Sequence, residues 1–194
     1  KAELQVYRSK LHATKAEIAE GKILMEKEAS LRFDMATVMF ANIHGFSNLD
    51  KEISSVDAMD DLDEVLFRFD EILAKYKIVK IKTIGDTIMA AGGIPEKNIT
   101  NPVDVVMAAI EMQNYIQKRK SSKLGTRKVW ELEIGIHTGP VTAKISGKRK
   151  LNYDIKGDVV NMASRTQSLA KDGGILISVM TYELIKEFFL CEYA

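Results

Sequence analysis

The sequence predicts an α+β domain: a ferredoxin-like βαββαβ core sheet with helices on one face, preceded by an N-terminal coiled-coil helix. Three observations predict it. A largely apolar run, residues 36–43, ends beside Asn42 and Gly45. A strand–turn–strand pattern surrounds Gly85-Asp86, and a stretch of helical period lies on either side of it. The order strand, helix, hairpin, helix, strand is that of a split βαβ sheet.

Taken in order, residues 36–43 (ATVMFANI) have the near-continuous apolar character of a buried strand. Ser54 or Ser55 caps a helix whose apolar positions Met59, Leu62, Leu66, Phe69, Ile72, Leu73 and Tyr76 follow the 3.6 period. Residues 78–82 and 87–91 flank the Gly85-Asp86 turn as a hairpin. Pro102 opens the second helix, with Asn101 as its cap and Val103, Val106, Met107 and Ile110 on one face. Residues 121–127 form a polar loop. Trp130, Leu132, Ile134 and Ile136 alternate, as do Val141, Ala143 and Ile145, which places Gly139-Pro140 between two strands. Residues 158–170 read as helix, 175–178 as strand and 181–189 as a final helix. Ahead of all these, Leu4, Leu11, Ile18 and Met25 recur every seven residues, with Tyr7, Thr14 and Gly21 at the companion positions. That is the seam of a short, weak, parallel coiled coil; the alternative is one amphipathic helix packed on its own domain. Residues 1–30 are therefore expected to be a signalling or transducer helix, and residues 31–194 the folded domain.

Composition bounds the function classes. An apolar fraction of 46% and a charged fraction of 28% are those of a soluble globular protein. A net charge of +1 argues against bulk electrostatic binding of nucleic acid, so no nucleic-acid partner is expected. There is no apolar run of about 18 residues, as a membrane span requires, and no signal peptide. Cys191 is the only cysteine, which excludes an internal disulfide and suits a reducing cytoplasm. The sequon at Asn98 is read as chance. The start at Lys1 and the end at CEYA lead us to expect a fragment of a longer chain, with a sensor or membrane module upstream.

Four stretches carry chemistry. FANIHGFS (residues 40–47) follows a strand and reads like a metal-binding, phosphate-binding turn, with an amide where a carboxylate is expected. KIKTIGDTIMAAGG (80–93) is the hairpin, IGIHTGPV (134–141) a strand end, and LNYDIKGDVVNMASR (151–165) leads into a helix. In this order they resemble the catalytic domain of the class III nucleotidyl cyclases, the adenylate and guanylate cyclases, from about Phe33 to the C-terminus.

The resemblance implies a reaction at the interface of a head-to-tail homodimer with shared active sites. One chain supplies two metal aspartates for a pair of Mg²⁺ or Mn²⁺ ions, and the other supplies the groups that read the base and stabilise the transition state. The second metal aspartate matches Asp86; the first matches Asn42, with the backbone of Ile43 beside it. The backbone from Ile43 through Gly45 and Phe46 to Ser47 is expected to cradle the phosphates, with Phe46 packing near the nucleotide. His44 falls where the family tolerates varied residues and is read as a bystander. Adenine presents an acceptor at N1 and donors at N6, so a lysine and a carboxylate together suit it. Lys82 matches the position that is Lys in adenylate cyclases and usually Glu in guanylate cyclases, and Asp154 matches its partner. Asn161 and Arg165, four apart on a helix face, match the residues that orient the ribose and stabilise the phosphate in the transition state.

Three departures qualify the pattern. Asn42 replaces a carboxylate, Lys144 stands where the family usually has Gly, and the family's phosphate-binding lysine belongs to a C-terminal hairpin absent from this chain. The basic cluster Lys148, Arg149 and Lys150 reads as a solvated hairpin arm. The sequence thus implies an adenylate cyclase domain that converts ATP to cyclic AMP and pyrophosphate, attenuated by Asn42. The alternatives are a nucleotide-binding pseudo-cyclase and a guanylate cyclase.

Overall fold

The computed structural model describes residues 29–44, 55–122, 130–146, 152–171 and 173–194. The elements run β1 (Ala29–His44), α1 (Ser55–Lys75), β2 (Val79–Ile84), β3 (Thr87–Gly92), α2 (Asn101–Ser122), β4 (Glu131–Ser146), β5 (Asn152–Lys156), α3 (Asp158–Leu169), β6 (Ile175–Ile177) and α4 (Val179–Ile185). Strand order is β2-β3-β1-β4-β5, with β6 pairing in parallel with β4. Its first four members have the ferredoxin-like arrangement that the βαββαβ order implies. The heptads up to residue 28 lie outside the described residues. Ala29 and Ser30, expected to end that helix, are instead the first residues of β1 and pair with Ile145 and Lys144.

The sheet separates two cores because side chains alternate along β1. Met39, Ala41 and Ile43 face α1 and α2, where they pack with Val65, Phe69, Ile72, Val105, Ala108 and Met112. Ala36, Val38 and Phe40 face the other way, with Met89, Val141, Ala143 and Ile155, and are covered there by Val159 and Ala163 of α3. The two helices of the βαββαβ unit thus share one face, and α3, which follows the unit, closes the opposite one. Each large apolar side chain buried in these layers contributes about 1.5–3 kcal/mol.

Several local expectations change. Gly139-Pro140 does not divide two strands; β4 runs through it for 16 residues. Pro140 has no N–H to give the ladder, and the register of β1 against β4 shifts between Phe33 and Ala36, opposite that point. A bulge there removes the need for a donor. Asn101, expected to cap α2, is instead its first residue. It is 1% exposed, and its Oδ1 accepts from Thr37 Oγ1 at 2.6 Å, so the start of α2 is tied to β1. Met107, expected on the buried face of α2, is exposed, while Val105, Ala108 and Ala109 are buried. The cause is that α2 packs against both the sheet and α1, which turns its apolar stripe. The loop expected to begin at Ser121 begins later, since α2 continues to Ser122, and residues 123–129 lie outside the described residues. The last helix starts at Val179 rather than Thr181, capped by Ser178, whose Oγ accepts from the Thr181 backbone N–H at 3.3 Å. β5 was not anticipated.

Candidate active site

Two glycines place the chemistry. Gly85 adopts a φ of +62°, the left-handed region open to glycine, and so allows the tight β2–β3 turn that presents Asp86. At Gly135, a Cβ would lie 2.0 Å from the backbone nitrogen of Gln167, so only glycine lets α3 rest directly on β4. That contact fixes the helix carrying Asn161 and Arg165.

At the end of β1, Asn42 is in register with Thr87 of β3. Its Nδ2 donates to Asp86 Oδ1 at 2.9 Å and to Thr87 Oγ1 at 2.7 Å. The Ile43 backbone N–H donates to the Asp86 carbonyl at 3.0 Å, so the turn is laced to β1. His44 is exposed at the strand end. Gly45, Phe46 and Ser47, the rest of the expected phosphate cradle, lie outside the described residues, as do Lys148, Arg149 and Lys150.

A second pair forms at the sheet's outer edges. Lys82 Nζ lies 3.3 Å from Asp154 Oδ1, each side chain about half exposed, at 48% and 49%. Lys82 is on β2 and Asp154 on β5, the two ends of the strand order, so the sheet must curl to bring them together. A register shift in the β2–β3 ladder between Lys80 and Lys82 adds local bend and twist on that side. Lys144, half-buried, is the register partner of Asp154 across β4–β5. By contrast Lys80, on the same edge strand, pairs with Asp70 of α1 at 2.5 Å rather than with β5.

Asn161 and Arg165 lie one turn apart on the outer side of α3, opposite the buried Val159 and Ala163. Neither makes a side-chain hydrogen bond or ion pair among the described residues. Met162 and Leu169 are exposed on the same helix. The structure therefore brings together Asn42 with Asp86, and Lys82 with Asp154, while Asn161 and Arg165 face outward.

Two groups escaped the sequence reading. Thr87 holds the Asn42 amide, and its position one residue beyond Asp86 at the mouth of the hairpin was the available signal. His137, within IGIHTGPV, forms a 2.6 Å hydrogen bond between its Nδ1 and Ser178 Oγ. From Ser178 a chain of hydroxyls runs through Thr181, Thr138 and Thr37 to Asn101, with links of 3.2, 3.1, 3.0 and 2.6 Å. Burial lowers the His137 pKa below its ordinary value.

Residues 28–193 match the family model described as the adenylate and guanylate cyclase catalytic domain. The chain belongs to this family. Among curated relatives, an adenylate cyclase of Mycobacterium tuberculosis is 33% identical over 178 residues, covering 90% of this chain and 39% of its own length. The chain thus spans well under half of that relative. Among solved structures, the adenylyl cyclase CyaB from P. aeruginosa aligns with a TM-score of 0.75 at 32% identity, covering 84% of this chain and 85% of that one. The catalytic core of a rhodopsin-guanylyl cyclase with converted specificity, in complex with ATPalphaS, aligns with a TM-score of 0.73 at 32% identity, covering 86% and 88%. Cyclase domains of both kinds are therefore similar to this one, and membership of the class III cyclases leaves the choice between ATP and GTP to the pocket. The family uses divalent metals. Among the described residues, no group of three or more His, Cys, Asp or Glu side chains could hold one. The corner offers one carboxylate, Asp86, with an amide N–H of Asn42 donating to it, where a bridged pair of cations needs two carboxylates. No helix among the described residues is long and apolar enough to cross a membrane.

Proposed function

We propose that this domain is an adenylate cyclase of reduced activity, working as a homodimer with two shared sites. The observation that carries the reading is the Lys82–Asp154 pair, which sets a donor and an acceptor 3.3 Å apart. Adenine asks for that combination: the lysine donates to N1 and the carboxylate accepts from N6. Guanine, with a donor at N1 and an acceptor at O6, meets each group with its own kind.

In the reaction, the ribose 3′-oxygen attacks the α-phosphorus, the bond to the β-phosphate oxygen breaks, and pyrophosphate leaves. The hydroxyl proton passes to water. Asn161 orients the ribose, and Arg165 offers its planar fork to the phosphate oxygens as charge builds on them. Both residues face away from their own chain, as groups serving a partner's nucleotide would. The phosphate cradle is the segment from Ile43 through Gly45 and Phe46 to Ser47. Asp86, with the Ile43 backbone, would hold one Mg²⁺ or Mn²⁺, which supplies electrostatic stabilisation of the triphosphate. With Asn42 in place of the first aspartate, turnover is slow. An upstream sensor or membrane module acting through residues 1–30 of a cytoplasmic domain completes the reading.

The test is product formation from ATP and from GTP with Mn²⁺. Cyclic AMP above a no-enzyme blank, with little cyclic GMP, is expected. Asn42→Asp is expected to raise the rate on the order of 10²–10³, the usual cost of removing a preorganised charged group. The Asn42–Asp86 hydrogen bond favours a second reading, a nucleotide-binding module without catalysis. ATP binding with no cyclic product from either chain would establish it.

A further inference from the structure

Asn42 departs from the family's pattern, and its contacts go beyond those of a passive replacement. An ionised carboxylate only accepts hydrogen bonds, so the part of Asn42 that faces Asp86 must be its NH₂ group. Both N–H bonds of that group are engaged, one by Asp86 at 2.9 Å and one by Thr87 at 2.7 Å. Asn42 and Thr87 are register partners on two paired strands, so the arrangement rests on the sheet and needs no loop. The Asp86 backbone is fixed in addition by the Ile43 N–H.

We infer that Asn42, held in orientation by Thr87, is a built-in substitute for a cation at Asp86. One amide hydrogen satisfies the carboxylate oxygen that a metal would otherwise take, and the other is held by Thr87. A divalent cation must displace the amide to gain that oxygen, so its affinity is low and the folded state is indifferent to its removal. An aspartate at position 42 would instead place two carboxylates at hydrogen-bond distance. A cation between them relieves their repulsion without the uptake of a proton. The replacement thus turns a corner that depends on metal for its order into one that does not. The inference rests on assigning Asp86 to the cation side of the proposed site, but its test needs no turnover.

Thermal unfolding of the whole chain and of Asn42→Asp is compared in chelator and in millimolar Mn²⁺. The unsubstituted chain is expected to unfold at the same temperature in both. Asn42→Asp is expected to unfold about 5 °C lower in chelator, a size typical of a local electrostatic loss in a domain of this length, and to recover in Mn²⁺. Equal stability of the two chains in chelator, or an equal Mn²⁺ shift in both, would overturn the inference. Should Asn42→Asp not accumulate in folded form, Thr87→Val carries the same question. With one acceptor gone the amide is held by a single bond, and Mn²⁺ binding followed by paramagnetic resonance is expected to tighten about two- to tenfold. Unchanged Mn²⁺ affinity would overturn it. A chain with the expected metal pattern that binds no ATP would support the inference and remove the cyclase reading.

Discussion

The Asp86 corner and the outer row of α3 are opposites. At the corner, Asn42 and the Ile43 backbone donate to Asp86 from within the chain, and Thr87 holds the Asn42 amide. On α3, Asn161 and Arg165 are exposed and have no side-chain partner among the described residues. Both rest on rigid parts: the corner on the β1–β3 ladder, α3 on the close contact at Gly135. The difference is therefore not one of order. One region is complete within a single chain, and the other holds charged and polar groups ready for something outside it, which is what a site divided between two molecules requires.

The largest effect comes from breaking each region separately. Arg165→Ala is expected to lower turnover on the order of 10²–10³ while leaving the fold intact, since the side chain holds nothing in its own chain. Asp86→Ala removes the other half. Mixing the two inactive chains is expected to restore one intact site per heterodimer, measurable as recovered cyclic AMP formation. A mixture that stays inactive despite verified heterodimers would mean that each chain works alone.

The edge pair sharpens the comparison, because Lys82 and Asp154 meet within one chain yet are half open to solvent. Lys82→Glu, combined with a non-acidic residue at 154, is expected to shift preference from ATP toward GTP. Each lost base contact costs about 1–3 kcal/mol, or roughly 5- to 150-fold. Competition assays with the two nucleotides measure the shift, and a double mutant that keeps its full preference for ATP would contradict the base-reading assignment.

The support beneath α3 comes next. Gly135→Ala inserts a methyl group where Gln167 leaves no room, and is expected to destabilise the domain by about 1–3 kcal/mol in denaturant titrations. Displacing α3 carries Arg165 with it, so kcat is expected to fall more than nucleotide affinity.

The smallest effect concerns pH. Burial holds the His137 pKa below its unfolded value, so the unfolded chain binds the proton more readily. Stability is then expected to fall as pH drops from about 6.5 toward the lowered folded value, and to level off below it. His137→Gln is expected to flatten that part of a melting-temperature profile.

The sequence made local features legible and long-range ones not. The Gly85-Asp86 hairpin and the helix from Asp158 declare themselves through turn chemistry and periodicity. The pair Asn161 and Arg165 came from the resemblance, and the helical period adds only that one turn sets them side by side. The meeting of Lys82 and Asp154 was a different matter. The residue types came from a resemblance, but their contact depends on a curl spread over five strands, which no window of sequence contains. Pro140 was misread for a related reason. A proline inside an alternating run signals a break, and the bulge that accommodates it lies a hundred residues away, on β1. Asn101 looked like a cap because Asn before Pro usually is one; its Oδ1 instead accepts from Thr37 on β1.

β1 is continuous from Ala29, where the preceding segment enters, to His44 beside the Asp86 corner. At about 3.3 Å per residue this is a rod of roughly 50 Å. Over residues 37–42 it is laddered on both sides, to β3 and to β4. Sliding it by one residue would break both ladders and turn each core face toward the wrong layer. A pull applied at residue 29 meets the bulge between Phe33 and Ala36 first, and beyond it a segment held by both neighbouring strands. The double ladder thus ties the corner's geometry to the whole sheet rather than to the end of one strand.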